Sequence, residues 1–274
     1  MASDLLRLGD LIVSANGRPV RSNEDLTAAI QAAGGAPLTV VYRRSGARHT
    51  ATLTPTADEN GHYKAGVWVR DSGAGIGTMS FVDPQRGTFA GLGHSISDVD
   101  TGADLTLLSG EIVPVTITGC IRGAAGSPGE LRGEFAAAPA GTVLANDAAG
   151  VYGSYTGSCT APALPVANLQ EVTPGEAELW TTVLGTTAQP YTIQVERVTM
   201  TGSDPNRNLL IRVTDKRLLD ATGGVVQGMS GSPIVQNGRL AAVLTHVLVN
   251  DPSRGYAIFA TTMLEKADAV ASSK

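Results

Sequence analysis

Gly228-Met229-Ser230-Gly231-Ser232-Pro233 runs directly into Ile234-Val235-Gln236-Asn237-Gly238-Arg239-Leu240-Ala241-Ala242-Val243-Leu244-Thr245-His246-Val247. Asn237-Gly238 supplies the positive φ values of a tight reversal, and the apolar residues on both sides of it predict a β-hairpin. Ahead of the hairpin, the small residues around Met229 predict a tight turn that presents a hydroxyl beside converging backbone amides. A small-residue β-turn without chemistry would have the same composition. The hairpin therefore decides for strands, and the role of Ser230 depends on the rest of the chain.

Working outward, short apolar runs recur at 65–69, 78–82, 112–117, 142–144, 177–184, 191–198, 209–213 and 240–249, separated by Gly, Asp, Pro and Asn. Helical periodicity hardly enters this region, apart from 262–267 at the end. The pattern predicts a double β-barrel or sandwich rather than a parallel α/β sheet. With 33 Gly, 4% aromatic and 16% charged residues among 274, the composition also favours short strands and tight turns.

The leading residues differ in character. Leu11-Ile12-Val13 is a short strand ending at the Asn16-Gly17 reversal, and Ser22 with Asp25 forms a variant capping box. Leu26, Ala29, Ile30 and Ala33 then share one helical face before Gly34-Gly35 stops the helix. Strands at 38–43 and 49–54 follow, joined around Ser45-Gly46. The polar stretch 56–61 is taken as a boundary, giving segments 1–56 and 57–274.

Several classes are excluded. The net charge is −5 with no run of Lys and Arg, so no nucleic-acid partner is expected. No apolar stretch approaches the roughly 20 residues of a membrane span. Met1-Ala2-Ser3-Asp4 lacks a basic or apolar leader, so the sequence as written is expected to be soluble. Cys120 and Cys159 lack zinc-ligand spacing, and one bridge or two free buried thiols are both open.

Of the histidines, His94 stands among glycines in Gly91-Leu92-Gly93-His94, with Asp98 and Asp100 following at once. That context suits a general base. His246 is its rival because it lies in the nucleophile hairpin, although a structural histidine fits that strand. His49 belongs to the leading segment and His62 to the boundary.

The turn at Ser230 resembles the Gly-Asp-Ser-Gly-Gly-Pro signature of chymotrypsin-like peptidases, with Ser232 replacing a Gly. That resemblance implies attack by Ser230, oxyanion donors at the amides of Gly228 and Ser230, and Thr245 as a hydroxyl supporting the catalytic acid. It also puts the specificity-pocket floor near 224–227, which holds no carboxylate to prefer Lys or Arg. Leu8-Gly9-Asp10-Leu11-Ile12 and Asn16-Gly17-Arg18-Pro19-Val20 resemble the C-terminal half of a PDZ domain, without its carboxylate-binding loop. Longer segments, among them 66–78, 91–102, 129–133, 214–230 and 250–256, are similar to the SpoIVB peptidases.

That family implies a mainly β fold, with a chymotrypsin-like double β-barrel peptidase domain preceded by a partial PDZ-like α+β segment. It implies a triad of His94, Asp215 and Ser230, with no metal or organic cofactor. Asp98, Asp100 and Asp147 compete for the acid on topological grounds, and read from its neighbours alone Asp215 is a turn residue with a surface ion pair. The implied activity is narrow-specificity, extracytoplasmic cleavage in sporulation signalling, acting on the protease itself and on a membrane-bound regulator. The alternative is a non-enzymatic interaction module in which the triad is idle.

Overall fold

The computed structural model describes residues 5–107, 109–202 and 204–272. They divide into two compact units, one running to Ala74 and including Val99–Gly102, the other formed by Gly75–Asp98 and the chain from Ala103 onward.

In the first unit, Leu11–Ala15 (β1), Arg18–Pro19 (β2), Leu38–Arg44 (β3) and Ala47–Leu53 (β4) form a sheet in the order β2-β1-β3-β4. The helix Asn23–Ala33 (α1) begins where Ser22 Oγ accepts the Asp25 N–H at 3.3 Å and stops at left-handed Gly34. Its apolar face, Leu26 and Ile30, packs with Ala15, Leu38, Val40 and Leu53. These features follow the strand, helix and hairpin read from the sequence. The compact unit runs on past the stretch read as a boundary. Residues 56–61 lie in and after Thr56–Ala57 (β5), which pairs with Tyr63–Lys64 (β6). Tyr63, Ala65, Val67 and Val69 all pack on the same core, so the unit continues to Ala74. Polar, turn-forming composition marks reversals inside a domain as readily as boundaries between domains. The apolar run 65–69 is accordingly not a strand.

The second unit is mainly β. Met79–Asp83 (β7), Thr88–Gly91 (β8), Glu111–Ile112 (β9), Gly141–Asp147 (β12) and Gly150–Tyr155 (β13) form an open sheet in the order β7-β8-β13-β12-β9. Val115–Ile121 (β10) and Glu130–Phe135 (β11) make a separate hairpin. Gly175–Thr181 (β14), Gln189–Val198 (β15), Leu209–Val213 (β16), Pro233–Gln236 (β17), Arg239–Val247 (β18) and Arg254–Phe259 (β19) close into a barrel in the order β14-β15-β16-β19-β18-β17. The fold is thus one closed barrel and one half-barrel.

Barrel strands alternate as a half-buried sheet should: Ala177, Leu179 and Thr181 point inward from β14, and Tyr191, Ile193 and Val195 from β15. Strand β18 is apolar on both faces for a physical reason. Ala242 and Leu244 fill the barrel, whereas Val243, with Ile258, packs against Ala90 and Tyr152 of the open sheet and Met263 of the final helix, Ala260–Ser272 (α3). One strand therefore belongs to both cores, and its end lies at their junction. The helix Lys216–Thr222 (α2) escapes sequence reading because seven residues are too few to display a period.

Candidate active site

The Ser230 turn is held from beneath by Met229, whose side chain is fully buried in the barrel core. Gly228 and Gly231 adopt φ of 95° and 97°, values that side-chain-bearing residues rarely tolerate. The Gln227 carbonyl accepts from Leu131 N–H at 2.9 Å, and the Met229 carbonyl accepts from Ser232 N–H at 2.9 Å. In a trans peptide the N–H points opposite the carbonyl, so these bonds fix the directions of the Gly228 and Ser230 amides. Among the described residues, neither amide donates to a protein acceptor. Two fixed, unspent donors on the turn that carries a hydroxyl are what an oxyanion site requires.

Ser230 Oγ donates to the carbonyl of Thr245 at 2.6 Å. Thr245 occupies a register irregularity of β18 between Leu244 and His246. On the side of β17, backbone pairing ends where Gly231 N–H donates to Leu244 O and Leu244 N–H to Ser232 O. Beyond Leu244 the strand pairs with β19 alone, leaving an edge beside Ser230.

His94 reaches this place on a backbone with positive φ at Leu92 (68°) and Gly93 (71°). A Cβ at Gly93 would come within 2.9 Å of Thr245 Cγ2, so the absence of a side chain lets the histidine segment lie on Thr245. His94 Nδ1 is 2.7 Å from the Ser95 carbonyl. A carbonyl only accepts, so this bond puts the proton on Nδ1 and the lone pair on Nε2. The ring stacks at a tilt of 32° on His246, with centroids 4.7 Å apart. Partial loss of water, then the charges of His94 and Arg207, hold the pKa of His246 below the ordinary imidazole range. The two histidines are neighbours.

Thr245 is 1% exposed, and its hydroxyl donates to the backbone carbonyl of Asn206 at 2.6 Å, not to a carboxylate. Asn206 belongs to a 3-10 turn, Pro205–Arg207, capped by Asp204. The Asp204-Pro205 dipeptide signals such a turn, but nothing local links it to Thr245.

Asp215 stands elsewhere. It is the N-cap of α2, and its carboxylate accepts the Arg217 N–H at 2.8 Å, Arg217 Nη2 at 2.7 Å and the Thr192 N–H at 3.3 Å. The Arg217 guanidinium chiefly, with those amides, holds its pKa at about 2. In the barrel register His246 lies opposite Tyr256 and Tyr256 opposite Leu210. Asp215 lies beyond the end of β16, at the start of α2. Ser230 and the His94 segment thus both lie against Thr245, whereas the Asp215 carboxylate is engaged by Arg217 and Thr192. The turn-and-ion-pair reading of Asp215 is the one its surroundings match.

Two of the rival acids have partners of their own. Asp147 caps Ala149 N–H and pairs with Lys266, and Asp100 pairs with Arg70. One acid the sequence reading passed over, Asp104, accepts from the hydroxyls of Ser95 and Ser97. It thereby fastens the segment whose carbonyl orients His94. Cys120 and Cys159 are both free thiols, the second exposed.

A family model described as SpoIVB peptidase S55 matches residues 61–264. No curated protein matches the chain. Among solved structures, the chain is similar to the active form of the Rv3671c protease from M. tuberculosis, at 16% identity over 58% of this chain and 79% of that one, with a TM-score of 0.36. The inactive form of the Rv3671c protease gives 15% identity over 52% and 72%, with a TM-score of 0.35. The HtrA-type protease AlgW with a decapeptide gives 13% identity over 71% and 62%, with a TM-score of 0.36.

Proposed function

We propose, for a chain that belongs to the SpoIVB peptidase S55 family and is thereby a serine peptidase, that Ser230 is the nucleophile and His94 the general base of a narrow-specificity endopeptidase. The observation that carries this reading is the Ser230 turn, with its fixed Gly228 and Ser230 amides, adjoining the open edge of β18. An extended peptide adds to such an edge through its backbone, which brings a scissile carbonyl to the turn.

The reaction then needs one rotation. The Ser230 hydroxyl leaves the Thr245 carbonyl and gives its proton to Nε2 of His94, whose Nδ1–H stays on the Ser95 carbonyl. The oxygen attacks the scissile carbon, the developing oxyanion takes the two amide donors, and His94 delivers the proton to the departing amine. Water repeats the sequence in reverse and releases the acyl group.

The substrates are the chain itself and a membrane-bound regulatory protein, met outside the cytoplasm in sporulation signalling. The PDZ-like first unit contributes weak peptide capture. Val225 and Val226 are buried and 224–227 carries no carboxylate, which supports a preference for residues other than Lys or Arg before the cleaved bond. A peptide-library profile dominated by a basic residue there would remove that part of the reading.

One observation favours a second reading, an interaction module with an idle site: the Ser230 hydroxyl rests on the Thr245 carbonyl, and the His94 Nδ1 is engaged by the Ser95 carbonyl, where a triad would have a carboxylate. Fluorophosphonate labelling separates the two. The wild-type protein is expected to label and to clip itself or an added peptide by mass spectrometry, and Ser230→Ala to do neither. A folded wild type that stays unlabelled decides for the module.

A further inference from the structure

Thr78 makes more connections to the site than any role assigned so far requires. Its N–H donates to the Ser230 carbonyl at 2.8 Å, and its Oγ1 donates to the Gly228 carbonyl at 3.0 Å. Its own carbonyl accepts from Leu92 N–H at 3.2 Å, two residues before His94. Buried Ser232 Oγ lies 3.5 Å from the same hydroxyl. One residue thus touches the backbone on both sides of the nucleophile and the backbone that delivers the base. The packing leaves no slack, since a Cβ at Gly231 would fall 1.9 Å from Thr78 O and one at Gly91 3.2 Å from it.

The consequence follows from peptide geometry. The Gln227 and Met229 carbonyls fix the two oxyanion amides, as described above. The peptide plane between them, Gly228–Met229, is held on one side by the Met229 N–H, which donates to the Val226 carbonyl at 3.2 Å, and on the other by Thr78 Oγ1, the side-chain donor on its carbonyl at 3.0 Å. With φ of 95° at Gly228, rotation of this plane would carry both neighbouring amides away from a common point. We propose that Thr78 is a positioning residue of the peptidase, holding the Ser230 turn with its hydroxyl while its backbone ties that turn to the His94 segment. This rests on the peptidase reading of Ser230 and His94, and adds to it a residue that touches neither the substrate nor the reacting atoms.

Thr78→Val keeps shape, N–H and carbonyl and removes only the hydroxyl, and Thr78→Ser restores the donor. In the full chain, Thr78→Val is expected to lower kcat and the rate of fluorophosphonate labelling about tenfold or more, the scale set by misdirected oxyanion donors, with KM little changed. Thr78→Ser should recover most of the rate. Hydrogen exchange read by mass spectrometry supplies the arm that does not depend on catalysis: Thr78→Val should quicken exchange in peptides covering 225–233, and Thr78→Ser should not. Unchanged exchange in that turn overturns the proposal, as does quickened exchange with wild-type labelling, which would make the hydroxyl merely structural. Faster exchange in a protein whose wild type does not label would leave the clamp standing and remove the peptidase reading instead.

Discussion

The Asp215 carboxylate is saturated by Arg217 and by the first turn of α2, with Arg217 itself lying over the Tyr191 ring at 5.0 Å. Its pKa of about 2 lies below the unfolded carboxylate value of about 3.9. The stability it contributes is therefore present above roughly pH 4 and lost as pH falls toward 2. Asp215→Asn should consequently lower the midpoint of thermal unfolding at pH 7, with the difference from wild type closing between pH 4 and pH 2. Labelling of Ser230 should survive in the same variant, and its loss in folded protein would return Asp215 to the catalytic group. His246 gives a second test. Burial of its ring opposes protonation first, and the neighbouring charges of His94 and Arg207 add to it. In an NMR titration its ring signals should move at about pH 4, well below an ordinary histidine. A midpoint at the usual imidazole value would mean that the ring is not buried beside those charges in solution.

At the level of elements, the Ser230 turn is a joint between barrel core and sheet edge. Met229 anchors it, and Met229→Ala should cost about 2 to 5 kcal/mol as a buried large-to-small change, measurable by urea unfolding. Gly231→Ala is worse placed, since a Cβ would meet the Thr78 carbonyl at 1.9 Å and φ is 97°. Such a change should destabilise by about 3 kcal/mol and abolish labelling. Strand β18 explains how so short a turn can be aimed. Leu244 is clamped by hydrogen bonds to both Gly231 and Ser232, so the last paired residue of the strand fixes where Ser230 begins. The hairpin carrying this arrangement was legible from Asn237-Gly238 and its apolar flanks, because a hairpin is a local object. Helix α2 was not legible, and with it the place of Asp215 was lost.

For the whole molecule, each unit has its own apolar core, Leu26, Leu38 and Leu53 in one and the clusters of the barrel and the open sheet in the other. Residues 71–75 between them are exposed and outside any strand or helix. Limited proteolysis should cut there first and leave two protected fragments. A first cut within 56–61 would instead restore the boundary drawn from composition. What the sequence determined by itself is what depends on near neighbours: strands from alternation, the helix α1 from its caps, the hairpin from its turn, and Ser230 on a glycine-flanked turn before it. What only the tertiary structure decided is which distant groups meet. His94 lies on Thr245 because Gly93 has no side chain, and Thr78 reaches Ser230 because two sheets share β18. Asp215 caps α2, where Arg217 and Thr192 engage its carboxylate. Register and packing are sums over many small contacts along the barrel, and no short motif contains them.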